Sequence, residues 1–340
     1  MKKFSLCSVL LSLLALLPFQ GHAVIYGVVT ASNDPNNNEL IVYDANGKLI
    51  QTVSTGGKGG VPPNIIAGGI AKTDTLLAAI NYGSQTVSLF KQQDGALKLI
   101  KNFQTLSKPV SLAFGQNHLY VLGTATIESH KMDGESVADQ PDGSTLLYVG
   151  DGSAAQVGVL TKQLIISERS NTIELVELRD GIVTDKLSSI QLPPPPGNKT
   201  PVGLATRNDT AYVTIAHSDK VGLVKDGKLA LVISSDTQHA PCWLALMGDW
   251  LYCCNTPSKS ISKYKVGVDS LALVDLIAVK TQGEPTDIDA EEGLVAVLER
   301  SNGAAQITQF AADINGNLKL ANSAATANTA NGVAIIKLKL

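Results

Sequence analysis

The strongest constraint on this chain is that it repeats itself at a short, fixed period. Residues 109–122 (Pro-Val-Ser-Leu-Ala-Phe-Gly-Gln-Asn-His-Leu-Tyr-Val-Leu) align without a gap on 241–254 (Pro-Cys-Trp-Leu-Ala-Leu-Met-Gly-Asp-Trp-Leu-Tyr-Cys-Cys). Residues 67–80, 201–214 and 285–298 fit the same frame. Each segment reads as strand, tight turn, strand, because Val, Ile, Leu, Thr and Tyr recur near period two around a short polar interruption. The starts at 67, 109, 201, 241 and 285 lie 42, 92, 40 and 44 residues apart. The gap of 92 is two periods, and its missing member falls at 156–160 followed by 164–168.

A second pair of strands follows each motif. Residues 86–91 lead through Asp94-Gly95 into 96–100, residues 172–179 lead into Asp180-Gly181, and 220–225 lead into Asp226-Gly227. Asp-Gly suits a two-residue hairpin because both central residues must tolerate positive φ. Four antiparallel strands every 40 to 47 residues are the signature of a β-propeller blade. A stacked β-solenoid shares the period but does not need hairpin turns inside each repeat, so it is the weaker choice. The ends set the blade count. Residues 331–337 supply one lone first strand, and 24–31, 39–44 and 48–53 supply three strands that lack one. Together they complete a blade and close the ring, which removes exposed edges. The expectation is an all-β fold with seven four-stranded blades.

The segments 81–88 (Asn-Tyr-Gly-Ser-Gln-Thr-Val-Ser) and 255–262 (Asn-Thr-Pro-Ser-Lys-Ser-Ile-Ser), with the Asp-Gly turns, resemble the seven-bladed lactonase-type propellers. That superfamily includes bacterial phosphogluconolactonase-like and fungal carboxymuconate-cyclising proteins and the YVTN-repeat surface proteins. The resemblance covers nearly the whole chain after residue 23, and its motifs mark the blade rather than an activity. It implies a lactone hydrolase or cyclase as one possible function. Enzyme-like members often carry Arg-His or His just before a first strand. The corresponding places here read Pro62-Pro63-Asn64, Ser107-Lys108-Pro109, Ala240-Pro241-Cys242 and Glu284-Pro285-Thr286, without a histidine.

Residues 1–23 read as a secretory signal peptide. Lys2 and Lys3 precede an apolar run over 6–17, and Gly21-His22-Ala23 offers small residues at −3 and −1 for cleavage after Ala23. Twelve apolar residues are too few for a ~30 Å hydrocarbon layer at roughly 1.5 Å rise per residue. The chain is therefore expected to be exported, to the periplasm or the medium. Of 27 basic and 30 acidic residues, removal of two lysines leaves 25 − 30 = −5. With no basic cluster and only 5% aromatic residues, binding to nucleic acid or anionic lipid is disfavoured. A monomer is expected.

In a propeller, the connections from second to third strand, and from fourth strand to the next first strand, emerge on one face around the channel. Loops on a rigid scaffold tend to carry function. This register places Asn81, Glu168, Asn255 and Glu299 at second-strand ends on that face. Glu168-Arg169-Ser170-Asn171 and Glu299-Arg300-Ser301-Asn302 are identical tetrapeptides 131 residues, or about three blades, apart. Two Glu and two Arg at one channel mouth could polarise a carbonyl or grip an anion. The competing reading is duplication, with each pair capping its own blade. Asn81, Asn255, His217 and His239 are candidate ligand contacts on the same face, whereas His118 sits in an opposite-face turn and His130 in an irregular repeat. Glu with Asn, and the oxygen-rich run 33–39, are acceptable Ca²⁺ donors, although no cofactor is indicated, and no His/Cys spacing resembles a zinc site. Residues 56–60 (Gly-Gly-Lys-Gly-Gly) read as an interblade loop, and Pro193–Pro196 as a stiff connector.

Three cysteines follow residue 23. Cys242 and Cys254 come near cross-strand register, so a bridge between them is possible in an oxidising compartment; a vicinal 253–254 bridge and three free thiols are the alternatives. The leading functional expectation is a scaffold that binds a small molecule or a protein on the channel face. In the lactonase alternative, Glu168 or Glu299 is the general base and Arg169 or Arg300 stabilises the oxyanion.

Overall fold

The strand periodicity closes on itself as a ring of seven sheets. A computed structural model describes residues 25–62, 68–93, 95–192 and 200–338; the leader, Ala67, Asp94 and the proline run lie outside them. Blade 1 contains Ile70–Lys72, Leu76–Asn81, Thr86–Gln93 and Ala96–Gln104. Blade 3 contains Ala154–Val159, Gln163–Glu168, Thr172–Arg179 and Ile182–Gln191, where the sequence placed its missing repeat. Blade 4 runs Pro201–Arg207, Thr210–Ile215, Lys220–Lys225 and Lys228–Ser234. Blade 5 runs Pro241–Met247, Trp250–Asn255, Ser260–Val266 and Leu271–Lys280. Blade 6 runs Glu284–Glu291, Leu294–Ser301, Ala304–Ala312 and Leu318–Thr326. Blade 7 is composite: Asn331–Leu338 pairs antiparallel with Ile25–Ala31, followed by Glu39–Asp44 and Leu49–Ser54.

Blade 2 is the irregular one. After Pro109–Gly115, His118–Gly123 and Thr126–Asp133, its outer position is split between Ser136–Val137 and Gly143–Leu146. The intervening excursion is fastened by Asp142, which pairs with His118 Nε2 at 2.9 Å and accepts from Ser129 Oγ at 2.8 Å. That detour left His130 without a register in the sequence, and it buries His130 completely against Phe103, with ring centroids 4.8 Å apart.

Burial follows position in the blade. Second strands such as Leu76–Asn81 and Thr210–Ile215 are buried at every residue, because both faces of the sheet meet a neighbouring blade. Outer strands such as Lys228–Ser234 alternate between exposed and half-buried. The Asp-Gly turns have the positive φ that their sequence demands: 54° and 83° at Asp180-Gly181, and 50° and 70° at Asp226-Gly227. Neighbouring blades are also tied by repeated tyrosines. The hydroxyls of Tyr120, Tyr212 and Tyr252 donate to Gly181 O, Gly267 O and Gly316 O, each in the third-to-fourth-strand turn of the next blade. Each tyrosine thus contributes both a large buried surface and a satisfied polar tip. Among the described residues no helix is long and apolar enough to cross a membrane.

Candidate functional site: the channel-face connections

The two sets of connections meet on one face, as their hydrogen bonds show. Residues at second-strand ends bond repeatedly to the segment that enters the same blade, or the next. Asn81, fully buried, accepts from Asn38 Nδ2 at 3.0 Å and Thr55 Oγ1 at 2.6 Å, and donates to Ser88 Oγ at 2.7 Å. It is a joint between blades 7 and 1. Asn255 is also fully buried and donates to Ser260 and Ser262 on the adjoining strand. Neither amide faces solvent; Asn81 is bonded through both ends, whereas Asn255 Oδ1 has no hydrogen-bond partner among the described residues.

The two Glu-Arg pairs lie in separate blades and each serves its own surroundings. Glu299 Oε2 accepts from the backbone N–H groups of Gln282 and Gly283, at 3.0 and 2.9 Å, and from Gln306 Nε2 at 3.1 Å. Arg300 spans to the connection leading into blade 7, donating to Asn328 O at 2.6 Å and to Ala330 O. Glu168 is equally buried, yet the only donor to its Oε2 among the described residues is Ser153 Oγ, at 2.8 Å. Arg169 Nη2 donates to Gly152 O at 2.9 Å. The other oxygen of each glutamate has no hydrogen-bond partner among the described residues.

Burial dominates the electrostatics here. Loss of hydration pushes the Glu168 carboxyl up to about 7; the nearby charges of Glu174 and Asp151 add to the rise, and Ser153 and Arg169 oppose it. Burial also lowers both guanidinium groups from their ordinary value. Tyr82 lies close enough to act on Arg169, and Lys108 Nζ sits over the Tyr82 ring at 5.0 Å. Tyr82, Lys108 and Arg169 therefore form a cationic–aromatic corner over blades 1 to 3. On the other side of the face, Lys259, Glu284, Arg300, Asn302 and Asn328 line an open cleft over blades 5 and 6.

The remaining candidates fall as follows. His217 is exposed, with Nδ1 2.9 Å from Thr200 Oγ1. His239 is exposed too, with Nδ1 3.0 Å from Asp219 Oδ2, while Asp219 Oδ1 accepts from Ala240 N. Asp219, which sequence reasoning passed over, thus fixes the imidazole that the sequence singled out. Cys242, Cys253 and Cys254 are free thiols. A bulge opposes Trp243, not Cys242, to Cys254, so the expected register between the two cysteines is shifted. Burial raises all three thiols from their ordinary value, which keeps them protonated and weakly nucleophilic. In the run 33–39, Asp34 Oδ1 accepts from Asn36 N and Asn37 N, and Asn38 Oδ1 from Asn33 N, so these oxygens serve their own turn. Among the described residues no group of three His, Cys, Asp or Glu side chains is placed to hold a metal ion.

Sequence reasoning also missed Glu128 and Glu174. Each lies on a third strand and holds the connection entering its own blade: Leu106 N at 3.1 Å for Glu128, Tyr148 N and Val149 N at 3.0 and 2.9 Å for Glu174. A signal was present, since Glu174 interrupts the apolar run Thr172-Ile173-Glu174-Leu175-Val176 at a position between two neighbouring blades.

No family model matches the chain, and no curated protein sequence matches it. Solved structures do. A "putative 6-phosphogluconolactonase" from Bacteroides uniformis is 13% identical, with 92% of this chain and 99% of that chain covered and a TM-score of 0.67. A second protein so described, from Bacteroides fragilis, is 14% identical over 94% of this chain and 99% of its own, with a TM-score of 0.65. A catalytically inactive virginiamycin B lyase from Staphylococcus aureus, solved with quinupristin, is 14% identical over 83% and 94%, with a TM-score of 0.57. At such identities the likeness is one of fold alone.

Proposed function

We propose that this chain is an exported propeller that binds a small molecule or a protein partner on its channel face, and that it does not open lactone rings. The observation that carries this reading is the use made of the Glu-Arg pairs. Glu299 and Arg300 are spent on backbone groups of the connections around blade 6; in the segment entering blade 3, Glu168 accepts from the Ser153 hydroxyl and Arg169 donates to Gly152 O. A general base must reach the proton it removes; a buried glutamate that holds its own loop does not. Groups that face outward include Lys108, over the half-buried Tyr82 ring, His217 and His239, and, in the cleft over blades 5 and 6, Lys259, Glu284 and Asn302, a mixed polar and aromatic set suited to recognition.

One observation favours the lactone hydrolase or cyclase instead. Glu168, with its carboxyl near 7 and a serine hydroxyl at 2.8 Å, has the form of a base beside a nucleophile. The test is to assay the purified protein against 6-phosphogluconolactone and a panel of sugar and dicarboxylate lactones. The expected result is no turnover above the uncatalysed rate. Turnover that Glu168→Gln abolishes at an unchanged melting temperature would overturn the scaffold reading, because general-base assistance is typically worth ~10² to 10⁴ in rate.

A further inference from the structure

The ring closes at the composite blade, and its closure involves more than strand pairing. Asn331–Leu338 is the innermost strand of blade 7, so one of its edges pairs with Ile25–Ala31 and the other faces the channel. An unpaired inner edge presents backbone donors and acceptors that must find partners. They find them on side chains from the two flanking blades. From blade 6, Asp287 Oδ2 accepts from Val333 N at 3.0 Å and Asp289 Oδ2 from Ile335 N at 2.7 Å. From blade 1, Lys72 Nζ donates to Ile335 O and ion-pairs with Asp289, at 3.0 Å, and with Glu291. Asp287 also accepts from the backbone N–H of Gly68, at the entry to blade 1. From the adjoining strand of blade 7, Thr30 Oγ1 donates to Gly332 O at 2.6 Å. Blades 6 and 1 are thereby linked directly, across the C-terminal strand, at two levels.

We infer that Asp287 and Lys72 form a side-chain clamp that closes the ring, pinning the C-terminal strand from the blades on either side of it. Asp287 is 4% exposed and Lys72 half-buried, so neither is a loose surface contact. The clamp is also sensitive to pH. Burial pushes the Asp287 carboxyl up to about 8, against the opposing effect of its backbone donors, and the neighbouring Asp289 adds to the rise. The other ionisable groups around it are Cys254 of blade 5, on which its charge acts, and Lys72, which neutralises Asp289. A carboxyl whose folded value lies above its unfolded one contributes stability below the unfolded value and loses it as pH rises through the folded value. The strand should therefore loosen as pH climbs from about 4 to 8.

Hydrogen exchange on the full chain tests this locally. In Lys72→Ala and in Asp287→Ala, which removes the acceptor of Val333 N, exchange in 331–338 should quicken at least tenfold at pH 6. The far side of the ring, at 210–215, should exchange as in the wild type. Corrected for the intrinsic rate, wild-type protection of 331–338 should fall between pH 5 and 8, and Asp287→Asn should remove that slope. Unchanged exchange in 331–338 for both variants would overturn the clamp, and an equal slope in wild type and Asp287→Asn would overturn its pH dependence.

Discussion

Blades 3 and 6 carry the same four residues, Glu-Arg-Ser-Asn, at the same place, and treat them differently. In blade 6 the entering segment is Gln282-Gly283, whose two N–H groups both point at Glu299. In blade 3 the entering segment is Gly152-Ser153, and Ser153 N is taken by Asp151 Oδ1 at 2.8 Å. Glu168 is left with a hydroxyl. Glu299 thus has two N–H groups and an amide, whereas Glu168 has one hydroxyl in a dry site, and burial raises the Glu168 carboxyl to about 7. The arginines diverge as well. Arg300 reaches forward to Ala330, one residue before the C-terminal strand, whereas Arg169 reaches back to Gly152 of its own blade. An identical tetrapeptide thus guards the ring seam in one blade and an interior entry loop in the other. What distinguishes them is the loop each faces, not the motif.

Removing the seam should have the largest effect on this contrast. Deleting 331–340 takes away the strand that Arg300, Asp287 and Lys72 surround, and uncovers the edge of Ile25–Ala31. Such a variant should aggregate or lose cooperative unfolding, while a monomer with an unchanged melting temperature would show that closure does not depend on that strand. Truncating the two glutamates comes next. Glu299→Ala strands the buried Gly283 N–H, at about 1 to 3 kcal/mol, and two half-buried donors, Gln282 N and Gln306 Nε2, that water can partly satisfy, so a loss of about 2 to 3 kcal/mol is expected. Glu168→Ala strands one hydroxyl that has Ser170 Oγ 3.1 Å away as an alternative, and about 1 kcal/mol should suffice. Denaturant midpoints for the pair measure the difference directly. Equal losses would mean that the two blades use the motif alike.

Much of the architecture was legible in the sequence because propeller blades obey local rules. The period, the Asp-Gly turns and the apolar second strands each follow from a few neighbouring residues, and Pro109–Gly115 and Pro241–Met247 begin where the alignment put them. Closure was legible too, since a lone strand at one end and three at the other admit few alternatives. Blade 2 was not, because its split outer strand depends on Asp142 meeting His118 and Ser129, a contact across 24 residues in the first case. The candidate site was legible only as a set of positions. Sequence placed Glu168 and Glu299 on one face, but their different roles depend on whether Asp151 or Glu299 captures an entry-loop N–H, which is a matter of ångströms. Asp287 was invisible for a related reason: its partners, Val333 and Gly68, lie 46 and 219 residues away.

The smallest expected effect is the most specific to the contrast, because it reads protonation rather than packing. Glu168 has a folded value of about 7 against an ordinary 4.5, so the folded protein holds a proton that the unfolded chain releases between those values. Stability contributed by the protonated form is present below about 4.5 and is lost as pH rises toward 7. The full shift would correspond to roughly 3 kcal/mol at 1.36 kcal/mol per unit, and about 1 to 2 kcal/mol is a fairer expectation for a group this close to the loops. Glu168→Gln removes the titration and keeps an acceptor for Ser153. Relative to wild type it should therefore be no less stable at pH 8, and less stable at pH 5, where the protonated carboxyl can also donate. Glu299→Gln should behave in the opposite way at pH 8, since an amide cannot replace a carboxylate oxygen that takes three donors. Unfolding midpoints of both variants at pH 5 and pH 8 decide it. If the two substitutions shift stability with the same sign at pH 8, the entry loops do not set the state of the glutamates they face.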